Sequence, residues 1–359
     1  MTKTYKALGL MSGTSMDGID AAIIITDGYK VLETLAGKTF PYNGAFREKL
    51  RQLIKGAGDR NEVEEELTHL HANAVANLLE SANEDKTSID LIGFHGHTID
   101  HRPQVRSTTQ IGDGQLLSNL TGITVVNDFR TADVKAGGQG APLVPIYHQA
   151  LFAGEDKPVA VINIGGVANV TWIGKNDGDL LAFDTGPGNA LLDDWVRIKT
   201  GKIFDDGGNL SKSGKVDEAL LAKFMQDNFF AQKPPKSLDR NHFAPIPDNY
   251  NISTEDGAAT LAAFTAESIA LASKYFPEAV TKWIIAGGGR YNIAIMECLK
   301  KRLGAPVINI NELGQDGDML EAQAFAFLAV RSVLGLPISF PGTTGITAPM
   351  CGGKMWEPI

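Results

Sequence analysis

The chain has little cysteine. Cys298 and Cys351 are the two in 359 residues, too few for a disulfide framework or a cysteine-rich zinc site, and consistent with a reducing compartment. It is also short of basic charge. The 33 Lys and Arg against 42 Asp and Glu give a formal net charge of −9, which opposes the phosphate attraction on which non-specific nucleic-acid binding rests. No nucleic-acid partner is expected. A nucleotide is not excluded, because backbone N–H groups and Mg2+ can neutralise a phosphate tail without many basic side chains. No apolar run reaches the length of a membrane span, and Met1-Thr2-Lys3-Thr4-Tyr5-Lys6 leads into a short apolar strand rather than a signal-peptide core. The expectation is a cytoplasmic protein without a membrane partner. Two nucleotide fingerprints are missing too. GNLSKSGKV at 208–216 has one residue too many between its glycines for a P-loop and ends in Val216, and GPGNAL at 186–191 has Leu191 where a dinucleotide fold needs its third glycine.

What is present is one plan used twice. The length is more than one compact core usually holds, so two domains are expected. KALGLMS at 6–12 and IDAAIIIT at 19–26 are apolar runs flanking the turn-rich GTSMDG, and a third strand is expected over about 31–40. Helical spacing follows over 44–83, then strands at 90–96 (DLIGFHG) and 123–128 (ITVVND). From 158 the pattern restarts: PVAVINIGGVANVTWIG reads as strand, glycine turn, strand, and LLAFDTGPGN at 180–189 as a third strand ending in a loop. A helix at about 255–275, strands at KWIIAGGG (282–289) and APVINI (305–310), and a strongly apolar helix at about 318–334 close this half.

The turns carry the chemistry. Gly13, Thr14, Ser15 and Gly18 can aim N–H groups and hydroxyls into one concavity suited to phosphate, with Asp17 and Asp20 nearby. An ordinary hairpin turn is the other reading. Gly186-Pro187-Gly188-Asn189 and Gly287-Gly288-Gly289 are further glycine loops at strand ends, where α/β sheets bind ligands. The triple glycine, running into Arg290-Tyr291-Asn292, permits the close backbone approach that an adenosine needs. Asp184 ends an apolar strand just before glycines and could serve as a base or as a loop cap. His95, His97 and His101 invite a metal reading, since His-x-His on a strand shares one face, but no further ligand set accompanies them.

Taken together, GLMSGTSMDGID (9–20), GFHGHTIDHRP (93–103), NDFRTADVKAGGQGAPLVP (127–145), NIGGVANVT (163–171), FDTGPGN (183–189), DGAATLAAFTA (256–266), AGGGRYN (286–292) and EAQAFAFLA (321–329) resemble the anhydro-N-acetylmuramic acid kinase family of the actin/hexokinase/Hsp70-like ATPase superfamily. The resemblance runs through nearly the whole chain. It implies two actin-like (ribonuclease H-like) α/β lobes, each a mixed five-stranded sheet with flanking helices, around an ATP cleft. Residues 1–131, with the tail 340–359, would form the first lobe and 132–339 the second. The implied reaction is hydrolytic opening of 1,6-anhydro-N-acetylmuramic acid with phosphorylation of O6 by ATP, in peptidoglycan recycling.

The resemblance also implies roles. Ser12, Gly13, Thr14, Ser15, Met16, Asp17, Gly18, Gly165, Gly166, Gly186, Gly188, Asn189, Gly287, Gly288, Gly289 and Asn292 would bind ATP. Asp184 would be the base that activates water. Glu321 matches a family position lining the sugar site, although alone it reads as a first-turn glutamate favoured by the helix dipole. Arg130 could grip the lactyl carboxylate in bidentate fashion, or form a surface ion pair. His97, Thr98 and Gln139 are placed on the sugar side. The first strand reads Leu8-Gly9-Leu10-Met11, without the Asp that many superfamily members place there. The candidate Mg2+ ligands are therefore Asp17, Asp20 and Asp184, through water, with Asp17 and Asp20 preferred. The partners expected are the sugar and ATP, with a homodimer left open. An ATP-driven conformational switch and a histidine-based metal hydrolase are the rival readings. The short glycine-rich run after 340 speaks against the first.

Overall fold

In the computed structural model, which describes residues 3–13, 15–176 and 178–359, the repeated plan becomes two sheets. β1 (Tyr5–Ser12), β2 (Gly18–Thr26) and β3 (Val31–Pro41) form an antiparallel meander. β1 is apolar almost throughout because both its faces are covered, whereas edge strand β3 is largely solvated. β4 (Leu91–Arg102) runs parallel to β1, β5 (Ser107–Ile111) folds back antiparallel on β4, and β6 (Val125–Asn127) lies parallel to β4. The second meander is β7 (Val159–Ile164), β8 (Val167–Ile173) and β9 (Leu180–Pro187). β10 (Lys282–Ala286) is parallel to β7, and β11 (Val307–Asn309) is parallel to β10. β12 (Lys354–Trp356) returns to pair with β6.

Stripped of β5 and β12, the first sheet has the order β3-β2-β1-β4-β6 and the second β9-β8-β7-β10-β11. The mixed α/β class agrees with expectation. The first sheet has seven strands rather than five, because β4 runs on to Arg102 and makes a hairpin with β5, and because the tail adds β12. The expected helical stretch 44–83 is two helices, Gly44–Ile54 and Arg60–Ala82, parted by a turn with left-handed Gly56 and Gly58. Asp59 restarts the second by accepting from the N–H groups of Asn61 and Glu62.

The chain divides into two compact units, Met1–Gly154 with Met319–Ile359, and Glu155–Asp318. Segments 132–154 and 319–339, expected in the second lobe, thus belong to the first unit. The reason lies in packing. The helix Leu320–Val333 lies directly on the first sheet: a Cβ on Gly9 or Gly93 would run into the carbonyl oxygens of Ala322 and Phe325. Its Arg331 Nη1 donates to the Gly28 carbonyl, and its Gln323 Oε1 accepts from Tyr147. The first unit's other core joins Leu8, Leu10, Ile23, Phe46, Leu67 and Phe94. The second unit's core centres on Ile162, Phe230, Phe264, Trp283 and Ile295. Among the described residues no helix is long and apolar enough to cross a membrane.

Candidate functional site

In the first unit, the expected phosphate loop leaves the end of β1. Ser12 is buried and its Oγ accepts from the Tyr42 hydroxyl at 2.8 Å, with His97 Nδ1 at 2.9 Å on its other side. The turn closes through Met16 N–H to the Gly13 carbonyl at 3.0 Å, with Met16 left-handed at φ 59°. Ser15 and Asp17 are exposed, and the Gly18 backbone presses on the Phe40 carbonyl. Asp20 accepts from Thr39 Oγ1. Thr14 lies outside the described residues. Among the described residues no group of three or more His, Cys, Asp or Glu could hold a metal ion. The donor set near this turn is carboxylate and hydroxyl oxygen, which fits Mg2+, a cation that keeps most of its waters and takes one or two carboxylates.

The residues expected on the sugar side separate into two groups. Arg130, half-buried, spends Nε and Nη2 on His95 Nε2 (3.2 and 3.0 Å) and Nη1 on the Gly140 carbonyl (2.7 Å). Its guanidinium also sits 5.9 Å from the Phe325 ring centroid. Burial lowers its pKa to about 10, with Glu321 and Asp133 opposing, so it stays a cation at neutral pH. Glu321 reaches solvent, yet the protein packed around its carboxyl raises its pKa; Arg130 opposes that rise and Asp20 adds to it. Gln139 is exposed on a loop held by Asp133, whose carboxylate accepts from Gly140 N–H and Thr344 Oγ1 at 2.6 Å each. Thr98 Oγ1 accepts from Gln110 across the β4–β5 hairpin. A polar cavity of about 340 Å³ opens nearby, walled by His95, Gln110, Asn127, Asp128 and Thr131.

His97 has no solvent exposure; its Nδ1 meets Ser12, and its Nε2 has no hydrogen-bond partner among the described residues. The metal reading of the histidines lapses. His95 Nδ1–H donates to the Gly96 carbonyl and its Nε2 lone pair takes Arg130, while His101 Nδ1 bonds to Thr108 Oγ1.

In the second unit the glycine loops converge. Asn189 N–H donates to the Gly165 carbonyl (2.7 Å) and Gly188 N–H to that of Gly166 (3.0 Å). Gly188 must be glycine, since a Cβ would strike the Gly165 carbonyl. Left-handed Gly287 (φ 73°) abuts Asn163 and Ile164, and Gly288 is exposed beside Asn189. Gly186 and Gly289 are buried against Ser268 and Ile164, a packing reason for glycine there. Asn292 caps the helix Ile293–Arg302 through its side chain.

Asp184 lies on β9 opposite Asn169. Its Oδ2 accepts from Leu238 N–H at 2.7 Å, and its own N–H donates to the Lys236 carbonyl at 3.0 Å. Burial raises its carboxyl to about 6, against the Leu238 hydrogen bond and the Lys236 charge. Sequence reading missed Lys236. Its ammonium donates to the Phe229 carbonyl (3.1 Å) and sits 4.1, 5.3 and 6.0 Å from the ring centroids of Phe229, Tyr275 and Phe183. The only signal was a Lys after Pro234-Pro235, with nothing local to aim it at Asp184.

Among solved structures, the chain is similar to component A of the (R)-2-hydroxyglutaryl-CoA dehydratase of Acidaminococcus fermentans, at 15% identity and a TM-score of 0.48 over 91% of this chain and 99% of that one. It is also similar to a glucokinase of the ROK family from Streptomyces griseus, at 12% identity and a TM-score of 0.41 over 90% and 98%. Sequence similarity is far stronger. The anhydro-N-acetylmuramic acid kinase of Paramagnetospirillum magneticum is 51% identical over 98% of this chain and 99% of its own length. That of Rhodospirillum rubrum is 50% identical over 98% and 94%. The family model for anhydro-N-acetylmuramic acid kinase matches residues 5–357, and the chain belongs to that family.

Proposed function

We propose that this ATP-using kinase opens 1,6-anhydro-N-acetylmuramic acid hydrolytically and phosphorylates O6, giving N-acetylmuramic acid 6-phosphate and ADP in cytoplasmic recycling of cell-wall peptidoglycan. The observation that carries the hydrolytic half is Asp184, a strand-end carboxylate held by Leu238 N–H with its pKa raised to about 6. A general base works best with a pKa near the working pH, and this one is ionised yet basic at neutrality. Asp184 takes a proton from the water that attacks C1. The C1–O6 bond breaks, O6 accepts the γ-phosphoryl group, and ADP leaves.

Phosphoryl transfer needs positioning and charge neutralisation more than covalent help. The converging backbone of Gly165, Gly166, Asn189, Gly287 and Gly288 suits a nucleotide. The 12–18 turn suits the phosphate tail, with Asp17 on it and Asp20 on the adjoining β2 as the carboxylates that would hold Mg2+ through water. Bound there, Mg2+ would supply neutralisation of the phosphate charge. Arg130 and Glu321 are assigned to the sugar. Arg130 has two of its nitrogens on His95 and one on Gly140, so its grip on the lactyl carboxylate uses the guanidinium hydrogens that remain.

Turnover in ¹⁸O-water with ATP and Mg2+, followed by early mass spectrometry of the product against an exchange control, tests the reading. Label at the anomeric hydroxyl and none in the phosphate ester is expected. Label in the phosphoryl group, or a product whose anhydro ring is still closed, would overturn it.

A further inference from the structure

Among the described residues, two imidazoles of the first unit have ring nitrogens without a hydrogen-bond partner: Nε2 of His97 and Nε2 of His71, both on rings without solvent exposure. An unmet buried polar atom costs about 1–3 kcal/mol. Two of them within electrostatic reach of each other require a reason, and the surrounding hydrogen bonds supply it. His71 Nδ1 lies 2.8 Å from the Leu67 carbonyl. A carbonyl only accepts, so Nδ1 carries the ring proton and Nε2 is a lone pair. Around His97 the direction is set from the far end. The buried Tyr42 phenol, the more acidic hydroxyl, donates to Ser12 Oγ. Ser12 Oγ, with Tyr42 on one lone pair, has its own proton to give, and His97 Nδ1 at 2.9 Å accepts it when the ring proton sits on Nε2. In that tautomer the two unmet atoms are one donor and one acceptor, the complementary pair that a bridging water needs.

We propose that a water joins the Nε2 atoms of His97 and His71, so that Tyr42, Ser12, His97 and His71 form one directed hydrogen-bond relay ending on the Leu67 carbonyl, in which the two histidines are neutral, opposite tautomers that hold the Ser12 hydroxyl in a single orientation at the start of the phosphate turn. The relay ties three separate pieces of the first unit to the end of β1: the segment before the helix Gly44–Ile54, the helix Arg60–Ala82, and β4. Burial keeps both rings neutral through the physiological range, lowering each pKa to about 4. Tyr42, His97 and His71 are positioning residues that act through Ser12. That role, though not the tautomers, rests on the assignment of Ser12 to the nucleotide.

The test has two arms. In the full chain with ¹⁵N-labelled histidine at pH 7, two-bond ring correlations are expected to show His97 protonated at Nε2 and His71 at Nδ1. The peaks are assigned by their loss in His97→Asn and His71→Asn. A proton on His97 Nδ1, a charged ring, or matching tautomers overturns the relay. The second arm is a double-mutant cycle of Tyr42→Phe and Ser12→Ala, read as ADP affinity by calorimetry. Tyr42→Phe is expected to weaken ADP ~5-fold, the effect of one ordinary hydrogen bond, and to add nothing in the Ser12→Ala background. Equal losses in both backgrounds would overturn the positioning role. A wild-type chain that binds no ADP would reject the nucleotide assignment and the positioning role with it, while the ring protons still decide the relay.

Discussion

Asp184 and Lys236 show how a few atoms set the chemistry of a strand end. A carboxylate lifted from 3.8 to about 6 by burial is costly to ionise, and the Lys236 cation keeps that cost from growing. The rate of ring opening should fall as pH drops through about 6, where Asp184 gains a proton. Lys236→Met should move that acid limb upward by about one pH unit, because an opposite charge nearby favours the carboxylate. An unmoved limb would remove Lys236 from the account. Asp184→Asn should lower kcat by ~10²-fold or more, as for a lost general base, while ADP still binds. It should also raise Tm. The native pKa lies above the unfolded one, so the native state loses stability as pH rises from about 4 to about 6. The Asn variant escapes that loss, and its gain should be full at pH 8 and absent below pH 4. An Asn variant that melts lower at pH 8 would contradict the raised pKa.

Among the elements, the loops and the helix Leu320–Val333 obey different constraints. Gly288 is exposed, and a Cβ there would have Asn189 Nδ2 as its nearest neighbour at 3.8 Å. Gly288→Val should therefore fold normally, so a loss of nucleotide affinity measured by calorimetry reports directly on adenosine contact; wild-type affinity would rule that contact out. Gly93 is the opposite case. Its Cβ would meet the Phe325 carbonyl, a backbone atom that cannot turn aside. Gly93→Ala should cost ~1–3 kcal/mol or more, the usual penalty of overpacking, seen as a lowered Tm. Gly304→Ala, with open space around it, is the control that should not move. The demand at Gly93 is not visible from its own neighbours in sequence, because the opposing backbone lies far along the chain.

For the whole molecule, the question is which parts unfold together. The helix Leu320–Val333 buries Phe325, Phe327, Leu328 and Val330 in the first unit, at about 1.5–3 kcal/mol each. Their sum is comparable to the ~5–15 kcal/mol net stability of an entire domain. The helix is therefore integral to the first unit despite following the second in the chain. Native-state hydrogen exchange in rising denaturant should show its amides opening with those of β1 and β4, and apart from those of β7 and β10. Exchange of the helix in step with β7 would place it with the second unit.

The α/β class, the two meanders, the strand-end glycine loops and the family were all legible in the sequence. Apolar runs, turn residues and motif strings are local properties, and local properties survive without a fold. The hairpin of β4 and β5, the pairing of β12 with β6 and the membership of the Leu320 helix were not legible, because each depends on which distant surface an element meets. The same division holds at the site. Asp184 was nameable as a candidate from its place between an apolar strand and glycines, and Arg130 only through the family resemblance, which implies a sugar with a carboxylate. That His97 serves Ser12, that Arg130 leans on His95, and that Lys236 stands beside Asp184 are matters of three-dimensional proximity. Only the tertiary structure decides them, since a side chain's partners are set by the packing of segments that the sequence keeps apart.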